Sequence, residues 1–425
     1  MESQRLDIAE PRGRPRGPGK PVSLALGPVG KAKQQSRSPK IAIFIDNFSA
    51  TGVVINAVAI AGRLKQRGCT VQLIASQARG ALIDSVPDGV EVVGLLPPAT
   101  GESSRRGRLR RSVLLFHKRL KAFSPDVLFS AGNHGHVVSA LVSLALPHCR
   151  TVVRISNDLD HLIDGKPCRP FSRWWRVTKF RAVAALSDQV VFVSRHLLRS
   201  KSVLGSATID KAIVIPNGVD VECVRQRSAE PCSHAWLADT KRVPLVLSIG
   251  RLAQQKNLLN LVRAVAIARK TRPIRLVLIG SGPLKSRLQE EAAALGIGDA
   301  VDIVAPMPNP MPFLRRASVM ALPSWWEGSS NVLLEALACG TPVVASRTAG
   351  NAEDVLDFGR YGLLVDPGDP AGMAAALLSQ VSDEVQLPGD RALDFNREAA
   401  LDAYAELIMA QGPAVPARAS AGSPD

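Results

Sequence analysis

The chain is 425 residues long and 46% hydrophobic, and its 53 Lys and Arg against 37 Asp and Glu give a formal net charge of +16. Such length and apolar content support two domains with sizeable cores. No uncharged apolar stretch approaches the ~18–20 residues that a spanning helix needs. The six cysteines are scattered without Cys-x-x-Cys or Cys/His spacing, which argues for reduced thiols and against a zinc site.

Residues 1–39 are rich in Pro, Gly, Arg and Lys, show no apolar periodicity, and are expected to be disordered. Their one apolar patch is short and broken by Gly27 and Pro28, unlike a secretory signal. From residue 40 onward short apolar runs alternate with helical stretches. Runs at 40–45, 70–75, 90–95, 126–130, 151–155, 189–193 and 212–215 predict a first set of strands. Runs at 244–249, 274–279, 301–304, 318–322, 342–345 and 362–365 predict a second set. Strand, helix, strand repeated in this way means parallel sheets covered on both faces. The polar segment 225–242, with Pro231 and little periodicity, divides the pattern. The expected architecture is α/β, with two Rossmann-like domains, 40–224 and 243–394, facing a cleft. A helix within 395–411 and a disordered tail, 412–425, complete it.

In open parallel sheets ligands sit beyond the carboxyl ends of the strands. The segments 47–52, 251–256, 280–282 and 327–331 all fall on that rim. The last is the most informative. Pro323 stops a buried strand, Gly328, Ser329 and Ser330 form a polar turn, and helical spacing starts near Asn331 and runs through Val332. The first helical turn leaves amide groups unpaired and carries a partial charge of about +0.5, so it can receive a phosphate without a metal. Glu335 lies one turn further in, roughly 6 Å along the axis, within reach of a ribose beside that phosphate. Glu327 precedes the turn. A carboxylate repels a diphosphate, so Glu327 makes sense only against neutral hydroxyls such as those of a sugar.

Glu327 and Glu335, with the Ala338-Cys-Gly-Thr-Pro-Val-Val344 stretch that follows, resemble the Glu-x7-Glu signature of glycosyltransferase family 4, retaining enzymes of GT-B fold. Other segments resemble the family in the same order: Pro216-Asn-Gly-Val-Asp220, Ser248 to Asn257, Ile279-Gly-Ser-Gly-Pro-Leu284, and Tyr361 to Asp369. The resemblance is detailed over residues 210–370 and looser upstream. It implies that Arg251 and Lys256 grip the donor diphosphate. Gly52, Gly250, Gly280, Gly282 and the run Gly328, Ser329, Ser330, Asn331, Val332 would surround the donor, with Glu335 on the nucleotide and Glu327 on the sugar. The implied substrate is a nucleoside diphosphate sugar, most commonly carried on UDP, with no cofactor and no metal. Cations suit this chemistry, because an enzyme without a metal must neutralise the departing diphosphate with fixed positive groups. The helix at 395–411 would cross back onto the N-terminal domain. The turn 46–52 departs from the paired glycines usual in the family and keeps only Gly52.

The N-terminal domain would receive the acceptor, a glycan or a lipid-linked hydroxyl. His134, Asn157 and Asp158, at two strand ends, are its candidate contacts; many members carry a histidine near the place of Asn157 and Asp158. Basic residues cluster in the same domain. Arg105, Arg106, Arg108, Arg110, Arg111, Lys118, Arg119 and Lys121 form one group, and in 168–181 cations interleave with Phe171, Trp174, Trp175 and Phe180. Basic side chains near an anionic leaflet contribute about 1 kcal/mol each, and aromatic rings anchor at headgroup level. A cytoplasmic protein peripheral to an anionic membrane surface is therefore expected. Nucleic acid is not, since no helix-turn-helix or aromatic RNA-binding signature stands out.

Three rivals follow from the same residues. Asp158 and Asp160 have the Asp-x-Asp spacing of metal-dependent GT-A transferases. A Rossmann oxidoreductase would need a complete glycine fingerprint, which Gly280 and Gly282 lack. A scaffold that binds polysaccharide or membrane without catalysis would have no need of Arg251, Lys256, Glu327 and Glu335 together.

Overall fold

A computed structural model describes residues 37–97, 105–132, 134–158, 170–199, 208, 210–232, 234–238, 243–382 and 387–410. The expected tails fall almost wholly outside these residues, as do Asp160 and Cys168.

The first sheet has seven parallel strands in the order β3-β2-β1-β4-β5-β6-β7. They are β1 (Lys40–Ile45), β2 (Thr70–Ala75), β3 (Glu91–Gly94), β4 (Val127–Ser130), β5 (Arg150–Ile155), β6 (Gln189–Phe192) and β7 (Ala212–Val214). The second has six parallel strands in the order β10-β9-β8-β11-β12-β13. These are β8 (Leu245–Ile249), β9 (Arg275–Ile279), β10 (Val301–Val304), β11 (Val319–Leu322), β12 (Val343–Ser346) and β13 (Leu363–Val365). Strand β1 illustrates why continuous apolar runs become central strands. Its side chains alternate, Ile41, Ile43 and Ile45 entering one core and Ala42 and Phe44 another on the opposite face. Strand β8 does the same, with Leu245 and Leu247 on one side and Val246 on the other.

The polar segment 225–242 is not featureless. It contains the end of a helix, Val221–Ser228, and a short helix, Ala235–Ala238. Asp220 caps the first by accepting from Cys223 N at 3.0 Å. Val219 and Val224 join the core of the second sheet, whereas Ile215 belongs to that of the first. The chain therefore crosses between the halves around Pro216 to Gly218.

The helix Arg397–Met409 follows a second crossing. Val219 N donates to Phe395 O at 2.8 Å, and Arg397 N to Val219 O at 3.2 Å, so the two crossings run side by side. Leu401, Tyr404, Ala405 and Ile408 pack into the core of the first sheet. Asn396 caps the helix start by accepting from Ala399 N at 3.1 Å. The Arg150 guanidinium caps its end, donating to the carbonyls of Leu407 and Ala410. A C-terminal helix is thus fixed to the N-terminal half.

Candidate active site

In each sheet the strand order reverses beside the first strand, between β1 and β4 and between β8 and β11, and crevices open beyond the strand ends at such points. The second crevice is lined by Ser248, Gly250, Lys256, Pro323 and Ser324. Lys256 closes a 3₁₀ turn after β8, and Glu327 lies on the loop after β11. Lys256 Nζ reaches Glu327 Oε1 at 2.5 Å, with the two side chains only 19% and 10% exposed. Ser324 Oγ donates to the same carboxylate oxygen at 2.8 Å. Ser324 is buried, and its carbonyl accepts from Ser346 Oγ at 2.7 Å, so the carboxylate is held by a fixed frame. Arg251 is exposed on the same rim and touches only the edge of hydrogen-bonding distance to Gln255 Oε1, at 3.5 Å. Lys256 is thus seated in an ion pair, whereas Arg251 projects from the rim.

Gly250, Gly280 and Gly282 lie underneath. A Cβ on Gly280 would stand 1.9 Å from Gly250 O, and one on Gly282 would stand 2.4 Å from Leu252 O. These glycines let the turns after β8 and β9 press together beneath Lys256.

The helix Asn331–Ala338 begins after the turn expected to receive a phosphate. Its N-cap Ser330 makes no side-chain cap, and no acidic residue occupies its first turn. Ser329 Oγ is shielded from solvent without a partner among the described residues. The Ser330 amide donates to Asn351 Oδ1 at 2.9 Å. The amides of Asn331 and Val332 therefore carry the helix's positive end. Gly52, the first residue of the helix Gly52–Gln66, faces this point: a Cβ there would be 3.5 Å from Asn331 Nδ2. Two helix starts thus converge. Glu335 is half-buried one turn inward, and burial pushes its carboxyl above the usual range, opposed by Arg227.

On the N-terminal side, Asn157 lies against the turn, its Cα 3.1 Å from where a Gly328 Cβ would be. Asp158 is buried, and its carbonyl accepts from Arg176 at 3.3 Å. His134 is exposed before the helix His136–Ser143. Among the described residues no three His, Cys, Asp or Glu side chains form a metal-holding group.

Sequence reasoning missed the polar residues that tie the halves together. Ser194 Oγ donates to Gly328 O at 2.9 Å, and Asn217 Nδ2 donates to Asn331 Oδ1 at 2.8 Å. The buried Arg154 donates to Asn217 Oδ1 at 2.7 Å and to the Tyr404 hydroxyl at 2.9 Å. Only Asn217, inside a turn already conspicuous for its Pro-Asn-Gly order, left a signal.

His136, two residues after His134, has a different part. Its Nε2 lies 3.1 Å from Arg154 O, which can only accept, so Nε2 carries the proton and Nδ1 accepts from Ser130 Oγ at 2.8 Å. Burial lowers its pKa to about 3. An unfolded imidazole titrates near 6.5, so between these values only the unfolded chain takes up the proton. The stability supplied by neutral His136 is complete above about pH 6.5 and is lost as pH falls toward 3, by about 1.4 kcal/mol per pH unit. Urea midpoints measured from pH 6.5 to 4.5 should fall, and His136→Gln should flatten that slope; equal slopes would contradict the assignment.

Two parallel Rossmann-type sheets whose rims meet at a helix start with no side-chain cap form a GT-B architecture. The family model described as Glycosyl transferases group 1 matches residues 243–383, and Glycosyltransferase Family 4 matches residues 50–223. The D-inositol 3-phosphate glycosyltransferase of Corynebacterium jeikeium is 30% identical over 361 residues, 79% of this chain and 84% of that protein. The enzyme of the same name from Acidothermus cellulolyticus is 35% identical over 274 residues, 59% of this chain and 58% of its own length. The solved structure of Anabaena HepE with UDP-glucose has the same fold, with a TM-score of 0.67 at 17% identity, covering 87% of this chain and 98% of that one. The chain belongs to glycosyltransferase family 4.

Proposed function

We propose that this glycosyltransferase moves a sugar, with retention, from a nucleoside diphosphate sugar to a hydroxyl of a lipid-linked or oligosaccharide acceptor. UDP is the carrier we favour; HepE, of the same fold, was solved with UDP-glucose. The observation that carries the reading is the seated Lys256–Glu327 pair beside the uncapped start of Asn331–Ala338.

The bond from the anomeric carbon to the phosphate oxygen breaks, and the electron pair leaves with the diphosphate. Lys256, Arg251 and the amides of Asn331 and Val332 take up that charge in place of a metal ion. Glu327 accepts from sugar hydroxyls, and Glu335 from the ribose. The acceptor oxygen bonds to the anomeric carbon from the face the phosphate leaves, and its proton passes to the departing phosphate oxygen. The acceptor would sit beside Asn157, Asp158 and His134.

Thermal-shift measurements with EDTA against UDP, GDP, ADP and their sugars test this. A ligand at 100 times its Kd adds about 2.7 kcal/mol of stability, so one nucleotide should raise Tm clearly. Shifts that need manganese would favour a metal-dependent site instead.

The acceptor side is proposed to lie on an anionic membrane at its cytoplasmic face. Arg110, Arg111, Lys118 and Lys121 are exposed on the helix Arg105–Phe123, and Trp174 and Trp175 are 58% and 50% exposed on the helix Pro170–Leu186. Two members of the basic cluster are used otherwise. Arg108 is buried and pairs with Asp46 at 2.9 Å, and Arg119 pairs with Glu91. No helix among the described residues is long and apolar enough to cross a membrane. Binding to anionic vesicles should exceed binding to neutral ones and weaken with salt; equal, salt-insensitive binding would remove this proposal.

A further inference from the structure

The turn from Gly328 to Asn331 belongs to the second half of the chain, yet it is held at both ends from outside that half. At one end the Ser194 hydroxyl donates to Gly328 O at 2.9 Å, and both residues are buried. Ser194 also caps the helix Arg195–Leu198, its oxygen accepting from Leu197 N at 3.3 Å. A hydroxyl has a single hydrogen, so this one is committed to Gly328.

At the other end the geometry fixes two amides in sequence. Arg154 can only donate, so the Asn217 atom 2.7 Å away must be its oxygen. The Asn217 nitrogen then points at Asn331, whose oxygen accepts at 2.8 Å. Asn331 Nδ2 is left as a donor at the convergence of the two helix starts, beside Gly52. Arg154 is itself buried, 1% exposed, and bound to Tyr404 of the returning helix.

We propose that Ser194 and Asn217 are positioning residues of the donor site. They set the turn whose amides receive the diphosphate, and Asn217 aims the Asn331 amide at the ligand. The donor site is then completed by the first half and the crossing, rather than by the second sheet alone. This rests on the reading of that site given above.

The test is a titration calorimetry series with UDP on the full chain. Ser194→Ala and Asn217→Ala should each raise the UDP Kd about 5–10-fold, the loss of roughly one hydrogen bond of 1–1.4 kcal/mol. Ser194→Thr should restore binding. Asn217→Ala should add nothing to the UDP Kd in an Asn331→Ala background, as expected for residues acting through one bond; a bond that only held the halves together would lower Tm and leave the UDP Kd unchanged. The two sites lie at opposite ends of the turn, so if one variant fails to fold the other decides. Wild-type protein that binds no nucleotide overturns the site reading and this inference with it. Wild-type protein that binds UDP, with both variants binding equally well or with additive effects in the Asn331→Ala background, overturns this inference alone.

Discussion

Lys256→Ala should lower kcat/KM by about 10²–10³, the cost of one preorganised group aimed at developing negative charge. Two effects combine. The variant lacks the cation proposed to stabilise the departing diphosphate, and it leaves Glu327, 10% exposed, as an unopposed carboxylate where the donor is proposed to bind. Adding Glu327→Gln to Lys256→Ala should therefore recover part of the donor affinity while turnover stays low. Arg251→Ala should be damaging as well, because its exposed side chain is the second cation proposed to meet the diphosphate. Near-normal kinetics in Lys256→Ala, measured with whichever donor shifts the wild-type Tm, would count decisively against the site.

Gly328→Ala should be severely damaging although it adds a single carbon. Its Cβ would stand 1.9 Å from Ser156 O and 2.6 Å from the carbon of the same carbonyl. These are backbone atoms of the other half, so no side chain can rotate away. Real contacts of this kind are essentially never under 3.0 Å, so the turn must retreat by about 1 Å, taking Glu327 and the amides of Asn331 and Val332 with it. A displacement of that size costs on the order of 10² in rate. Gly298→Ala is the control, since nothing lies closer than 3.8 Å to its added carbon. Steady-state kinetics of both variants decide the matter: Gly328→Ala as active as Gly298→Ala would show that the halves do not press on this turn during catalysis.

The strands were legible because both sheets are parallel and covered on both faces, which turns each strand into an unbroken apolar run. Strands β1, β2 and β10 occupy the expected residues, and the others differ by a residue or two at their ends. The start of the helix at Asn331 was equally plain, from Pro323, the small polar turn and the apolar spacing that follows. What could not be read is pairing across the fold. Lys256 and Glu327 are 71 positions apart, and nothing local says that one neutralises the other. Nor does anything local say that the Ser330 amide is taken by Asn351, 21 positions on. Charge counting likewise treated the basic helix as one exposed cluster, whereas the fold turns Arg108 inward to Asp46 and Arg119 toward Glu91. Composition gives the number of charges and cannot tell which side of a helix they occupy.

Calorimetric titration of UDP in EDTA, on wild-type protein and on Lys256→Ala, tests the central claim most directly. If fixed cations and the start of the helix Asn331–Ala338 hold the diphosphate, wild-type binding survives chelation unchanged and the variant binds at least about tenfold more weakly, a difference of ~1.4 kcal/mol. Wild-type binding that vanishes with the chelator, or a Lys256→Ala variant that binds UDP as tightly as wild type, would contradict it.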